Sequence, residues 1–127
     1  MSDVPNQETV NDTAKLIMHR LIARRLAHDT SLVDRAKASH ARVSERYPER
    51  TFVQDWNKLL ALPANQLRDL LTSRHTEMKR LRLSSPFVIA EGIDFTDPNL
   101  RRRIRRAAKR VVERGVAARH AGVATAA

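Results

Sequence analysis

The side chains best suited to chemistry in this sequence are the basic groups between positions 101 and 114. Guanidinium and ammonium groups in a row donate hydrogen bonds to phosphate or carboxylate oxygens, and arginine does so in a bidentate manner. Glu113 is the single acid among them. The basic residues are Arg101, Arg102, Arg103, Arg105, Arg106, Lys109, Arg110 and Arg114. We therefore predict contact with an anionic partner, which is either DNA or RNA or an acidic protein surface.

The same stretch has the signals of a single helix, predicted over residues 97–114. Asp97 suits the N-cap, Pro98 suits the first helical position, and Gly115 suits the turn that ends a helix. Apolar residues recur at helical spacing on one side. These are Leu100, Ile104, Ala107, Ala108, Val111 and Val112. Arginines four positions apart weaken an isolated helix by roughly tenths of a kcal/mol per pair, so this basic face favours an external anion.

Charge is distributed unevenly along the chain. The formal net charge is +10, and residues 96–127 contribute +7 of it through nine basic and two acidic residues. Such an imbalance is typical of a protein that binds nucleic acid, an acidic protein or an anionic membrane. The apolar side of the predicted basic helix is mostly alanine and valine, which suits packing on protein better than insertion into lipid. We therefore do not expect a membrane partner.

The remaining reactive residue types show no catalytic or metal-binding pattern. The sequence has no cysteine, and its three glycines lie too far apart for a phosphate-binding loop. No two histidines have the i,i+4 spacing of a helical metal site. The histidines are His19, His28, His40, His75 and His120. We therefore expect a protein that is not an enzyme, with no catalytic residue, no metal and no cofactor.

Hydrophobic periodicity predicts an all-α fold, a compact bundle of about five short helices followed by the basic helix. Helices are expected over residues 9–28 and 30–47, from Thr51 onward, after Pro63, and as a short element that ends before residue 84. The predicted organisation is one helical domain over residues 9–115. The flanking polar and small-residue segments, 1–8 and 116–127, are expected to be disordered.

Residues 86–95, PFVIAEGIDF, differ from the rest of the chain because they are apolar and β-branched. We interpret them as an extended loop before the basic helix. Its apolar side chains Phe87, Ile89, Ile93 and Phe95 would pack against the helices or bind a partner. A strand that pairs with another chain, including a second copy in a homo-oligomer, is the alternative, because a lone strand leaves its backbone groups unpaired.

The middle of the chain contains an ordered set of tryptophan, leucine and arginine residues. It consists of Trp56, Leu59, Leu60, Leu67, Leu70, Leu71 and the run Arg80-Leu81-Arg82-Leu83-Ser84-Ser85-Pro86-Phe87. Over residues 52–95 this pattern resembles small bacterial proteins of the antitoxin type. The resemblance implies a toxin–antitoxin system, in which the helical body and the Arg-rich helix would neutralise a toxin with an acidic active site. It assigns no role to an individual residue.

Two further interpretations remain open at this point. The basic helix could bind DNA or RNA directly, or the protein could be a structural subunit of a phage or ribonucleoprotein assembly. The N-terminal residues lack the basic and apolar regions of a secretory signal, and no apolar run approaches the roughly 18 residues of a membrane span. We therefore expect a cytoplasmic protein.

Overall fold

The structure is a computed structural model that describes residues 7–90, 95 and 97–126, with side chains up to residue 118. The described residues form six α-helices and no β-strand. The helices are α1 Gln7–Leu26, α2 Ser31–Arg46, α3 Thr51–Leu60, α4 Ala64–Leu71, α5 Thr76–Arg82 and α6 Pro98–Ala126. The predicted all-α class is confirmed.

Helix α1 is the element on which the others assemble, because it contacts α2, α4, α5 and α6. Met18, Ile22 and Leu26 of α1 are buried in the core. Arg68 of α4 donates through Nε to the carbonyl oxygen of Ala23 at 2.9 Å, near the C-terminal end of α1. The same carbonyl oxygen also accepts from the backbone N–H of Ala27 at 3.3 Å, so the Arg68 bond ties α4 to the last turn of α1. Helix α6 packs on α1, which the other contacts hold in the core.

Trp56 of α3 is the largest fully buried side chain. Its ring meets Phe87 edge-on, with centroids 6.3 Å apart and planes at 63°. Its Nε1–H donates to the carbonyl oxygen of Leu81 at 3.1 Å. The same hydrophobic core contains Ile22, Leu26, Leu32, Leu67, Leu71, Met78 and Phe95. Because Trp56 combines apolar area with a satisfied N–H group, it joins α3 to the end of α5 and the turn beyond it.

The segment after α5 is folded into turns, so the expected extended loop is wrong for residues 86–90. The Ser39 hydroxyl of α2 donates to the Pro86 carbonyl at 2.8 Å, which holds this segment on the helices. Phe87 and Phe95 are buried in the core, whereas Ile89 is 59% exposed. Ile93 lies outside the described residues, as do 91, 92, 94 and 96.

Helix α6 begins as predicted and ends later than predicted. Its first residue is Pro98, and the backbone N–H of Asn99 donates to Asp97 Oδ1 at 3.0 Å, so the expected cap is confirmed. The expected end at Gly115 is wrong, because the helix continues to Ala126. Five alanines lie between Gly115 and the end of the helix, and their high helix propensity offsets part of the cost of about 1 kcal/mol for each of the interior glycines Gly115 and Gly122.

The structure also differs from the prediction that residues 1–8 and 116–127 are disordered. Residues 116–126 are helical instead of disordered, and Gln7 and Glu8 already belong to α1. Residues 1–6 and 127 lie outside the described residues.

Replacing Gly115 with alanine is expected to raise the free energy of unfolding by roughly 0.5–1 kcal/mol and to increase helicity, because an interior glycine weakens a helix. Circular dichroism and urea unfolding measure both quantities. Ala117→Gly, two residues away on an exposed position, is the matched control and should have the opposite effect. A destabilising Gly115→Ala would mean that Gly115 ends the helix in a left-handed conformation, where a Cβ is unfavourable.

Candidate anion-binding surface

Helix α6 packs chiefly along α1. Ile104 and Ala108 are buried in this contact, and Leu100 packs against the core. Ala107 and Val112 are half-buried, whereas Val111 is 45% exposed. The narrow apolar side predicted from the sequence therefore docks α6 on α1, and this docking leaves the basic residues at the surface.

Seven of the eight predicted basic residues are exposed, and Arg105 is half-buried. Arg105 donates to Asn11 Oδ1 of α1 at 3.0 Å, so part of its hydrogen-bonding capacity is already used. Arg102 folds back on its own helix and donates to Asn99 Oδ1 at 2.8 Å. Among the described residues, no carboxylate forms an ion pair with any of the eight. Their positive charges are therefore uncompensated within this part of the chain.

A groove of about 380 Å³ lies between α1 and α6 beside the first turns of the basic stretch. Arg101, Arg102 and Arg105 line it from α6, and Lys15 lines it from α1. Burial lowers the pKa of the Lys15 ammonium, and the nearby positive charge of Arg101 lowers it further. No acidic residue lines this groove. A bound anion would therefore relieve repulsion between cations of two helices.

The length of the basic stretch suits an extended anion. Residues 101–114 span about 20 Å at 1.5 Å per residue. This length corresponds to about six base-pair steps of B-DNA at roughly 3.4 Å each. One face of α6 can therefore meet several consecutive phosphates.

Two of the four apolar residues of the predicted site are not available to a partner. Phe87 and Phe95 are buried, so their role is structural, and only Ile89 of that group is shown to be exposed. Leu83, directly after α5, is 60% exposed and lines the groove with Arg101. The segment after α5 therefore exposes two large apolar side chains, Leu83 and Ile89.

His19 and Ser85 form a buried pair that the sequence did not indicate. The two residues are 66 positions apart, and His19 Nε2 lies 2.7 Å from Ser85 Oγ. His19 Nδ1 lies 2.6 Å from the Lys15 carbonyl, which can only accept, so Nδ1 donates and Nε2 accepts the hydroxyl proton. Burial lowers the pKa of His19 to about 4.

The pair has the composition of a nucleophile and its base, but both side chains are almost fully buried. A catalytic serine must reach its substrate, so we assign the pair a structural role, the attachment of the segment after α5 to α1. Within the described part of the chain, no three histidine or acidic side chains come together as metal ligands. In the same part, no helix has the length and apolar character required to cross a bilayer.

Comparisons of this chain with protein-family models, with curated proteins and with solved structures find no match.

Proposed function

We propose that this protein is a non-enzymatic nucleic-acid-binding protein that uses the basic face of α6 as its contact with phosphates. The observation behind the proposal is the row of eight cationic residues, seven of them exposed, without an ion pair among the described residues. Mixed charges are usual on a solvated helix face, and they gain stability from i,i+4 pairing. A helix face whose charges are all positive has no such pairs, and an external polyanion would supply the stabilising ion pairs instead.

The surface suits the phosphate backbone better than the bases. Aromatic side chains that stack on unpaired bases are the usual feature of single-strand recognition. Of the five aromatic residues, Trp56, Phe87 and Phe95 are buried and Phe52 is half-buried. Tyr47, 39% exposed, lies between Arg46 and Arg50 on another part of the chain. Duplex binding with little sequence preference is therefore the expected mode.

Fluorescence anisotropy with a labelled duplex at low salt tests this proposal. The test variant replaces four exposed cations of α6 with glutamine: Arg102, Arg106, Lys109 and Arg110. Arg105 is left intact because it bonds to Asn11. The control variant removes the same charge from other exposed positions: Arg24, Lys37, Arg42 and Lys58. We expect the test variant to lose affinity about 100-fold and the control variant less than about fivefold.

Equal losses in the two variants would show that net charge alone causes binding, and the proposed interface would be wrong. Absence of any binding by the wild-type protein at low salt would reject the nucleic-acid proposal itself. Circular dichroism of both variants confirms that the helical fold is retained.

A second candidate function is the neutralisation of a protein toxin with an acidic surface. The observation that favours it is the position of Leu83, an exposed leucine within a groove otherwise rich in arginine. An apolar centre within a polar rim is typical of protein–protein contacts. The segment that contains Leu83 is also the one that resembles antitoxin-like proteins.

Co-expression with the product of the adjacent gene tests this second candidate. If that product is toxic alone, this chain should suppress its toxicity, and the uncharged substitution Leu83→Ser should abolish suppression. A neighbour that is harmless alone, or whose toxicity this chain does not change, would reject the antitoxin function.

A further inference from the structure

A second basic cavity lies where α1 and α5 meet Val111 of α6, and it shares no residue with the groove described above. Its volume is about 260 Å³. Four cations line it: Arg20 from α1, Arg74 from the turn before α5, and Lys79 and Arg82 from α5. We call it the Arg82 pocket.

Arg82 is the most unusual group of this pocket. Its side chain belongs to a residue that is only 3% exposed. One terminal nitrogen donates to the carbonyl oxygens of Leu71, at 3.3 Å, and Ser73, which fixes the guanidinium beside the end of α4. Its Nε is buried and has no hydrogen-bond partner among the described residues. A buried donor without a partner is costly, and a bound ion is one of the usual reasons for its retention.

The charge of the lining residues is strongly unbalanced. Asp12 is the one carboxylate among them, so four cations and one anion give a net formal charge of +3. Asp12 Oδ2 lies 3.8 Å from Lys79 Nζ and therefore offsets part of that ammonium's charge. Burial lowers the pKa of Arg82, and the charge of Arg20 lowers it further, while Asp12 opposes the shift. The remaining cations repel one another in a partly desolvated space.

We propose that the Arg82 pocket binds a phosphate monoester dianion. Ordinary ligand pockets enclose roughly 300–1,000 Å³, so this smaller cavity suits one compact group instead of a whole nucleotide. The cations approach from two helices and a turn, which matches the several acceptor oxygens of a tetrahedral phosphate. A carboxylate has one charge and two oxygens, and would leave most of this set without a partner.

The phosphate could belong to a small phosphorylated molecule or to the 5′ end of a nucleic-acid strand, and both sources present the same dianion. The Arg82 pocket and the basic face of α6 use separate cations, so either proposal can fail while the other holds.

Calorimetric titration of the full chain with inorganic phosphate at constant ionic strength tests the pocket. We expect saturable one-site binding to the wild-type protein. Arg74→Gln/Lys79→Gln changes two exposed positions and should weaken binding at least about tenfold. The control Arg24→Gln/Lys58→Gln removes the same charge from exposed positions outside the pocket, and should change the affinity less than about twofold.

Asp12→Asn adds a test in which the expected result is a gain of affinity, which misfolding would not produce. This substitution removes the pocket's carboxylate, so we expect phosphate to bind several times more tightly. Unchanged or weaker binding by Asp12→Asn, equal losses in the two double variants, or no saturable binding up to about 10 mM phosphate would each overturn the proposal.

Paired oligonucleotides with a 5′-phosphate and a 5′-hydroxyl group distinguish the two sources. If the 5′-phosphate increases affinity, and Arg74→Gln/Lys79→Gln removes the increase, the pocket binds the end of a strand. If inorganic phosphate binds but the two oligonucleotides have equal affinity, the pocket binds a small phosphorylated molecule. Both results support the pocket, and neither depends on the four α6 cations that test duplex binding.

Discussion

Replacing Trp56 with alanine is expected to lower the free energy of unfolding by about 3–5 kcal/mol. The side chain is fully buried, so its removal leaves a large cavity between α3, α5 and the turn that holds Phe87. The substitution also removes the hydrogen bond from Trp56 Nε1–H to the Leu81 carbonyl. A single domain typically has a stability of roughly 5–15 kcal/mol, so a loss of this size approaches the whole of it.

Urea unfolding followed by circular dichroism measures this loss. Trp56→Phe keeps a ring in the core but removes the donor and part of the indole volume, so we expect a smaller effect of about 1–3 kcal/mol. Phe52→Ala, at a half-buried position of the same helix, should also cost less than Trp56→Ala. A change below about 1 kcal/mol for Trp56→Ala would contradict its place at the centre of the core.

Acidification from pH 7 to pH 4 is expected to cost on the order of 3 kcal/mol of stability through His19 alone. Burial lowers the pKa of this imidazole from 6.5 to about 4 in the folded state. Between these values the unfolded chain binds the additional proton, so stability falls as the pH falls. The contribution of His19 is fully present above about pH 6.5 and does not decrease further below about pH 4.

The variant His19→Gln separates this titration from the other acid-sensitive groups. It should be less stable than the wild type at pH 7, because the bonds to Ser85 and Lys15 are disturbed. Its stability should then depend less on pH between 6.5 and 4. His75→Gln removes an exposed histidine and serves as the control, with the pH dependence of the wild type. Parallel pH profiles for His19→Gln and the wild type would show that His19 is not buried in the neutral form.

The helices were largely predictable because each depends on local sequence. Apolar spacing located α1 to α5, and Asp97-Pro98 located the start of α6. The end of α6 was not predictable from Gly115, since glycine both ends helices and is tolerated inside them. Whether the helix ends or continues at Gly115 depends on the helix propensity of the residues that follow. That propensity is summed over many residues, so no single residue indicates it.

Contacts between distant residues were not predictable. Ser85 gives no local sign that it bonds to His19, and Arg82 gives none that it is buried. Phe87 and Phe95 look the same in sequence whether they serve the core or a partner. Only tertiary packing places them in the core.

The basic residues of the candidate site were predictable from the sequence, but the residues of other helices that lie beside them were not. The sequence identified eight basic residues, whereas the structure showed that Arg105 is partly engaged with Asn11. Lys15 and Leu83 join the same groove from other elements, so no local pattern could include them. The Arg82 pocket likewise gathers cations from positions 20 to 82, which become neighbours only when α1 packs on α5.

The salt dependence of duplex binding is the most direct test of the basic face of α6 as a phosphate contact. Each phosphate contact contributes about −0.9 to the slope of log affinity against log salt. For the wild type we predict a slope of about −4 or steeper, and for the variant with four glutamines on α6 a slope shallower by about 3 to 4. A slope that is the same in both proteins, or near zero in the wild type, would contradict phosphate contact by this helix.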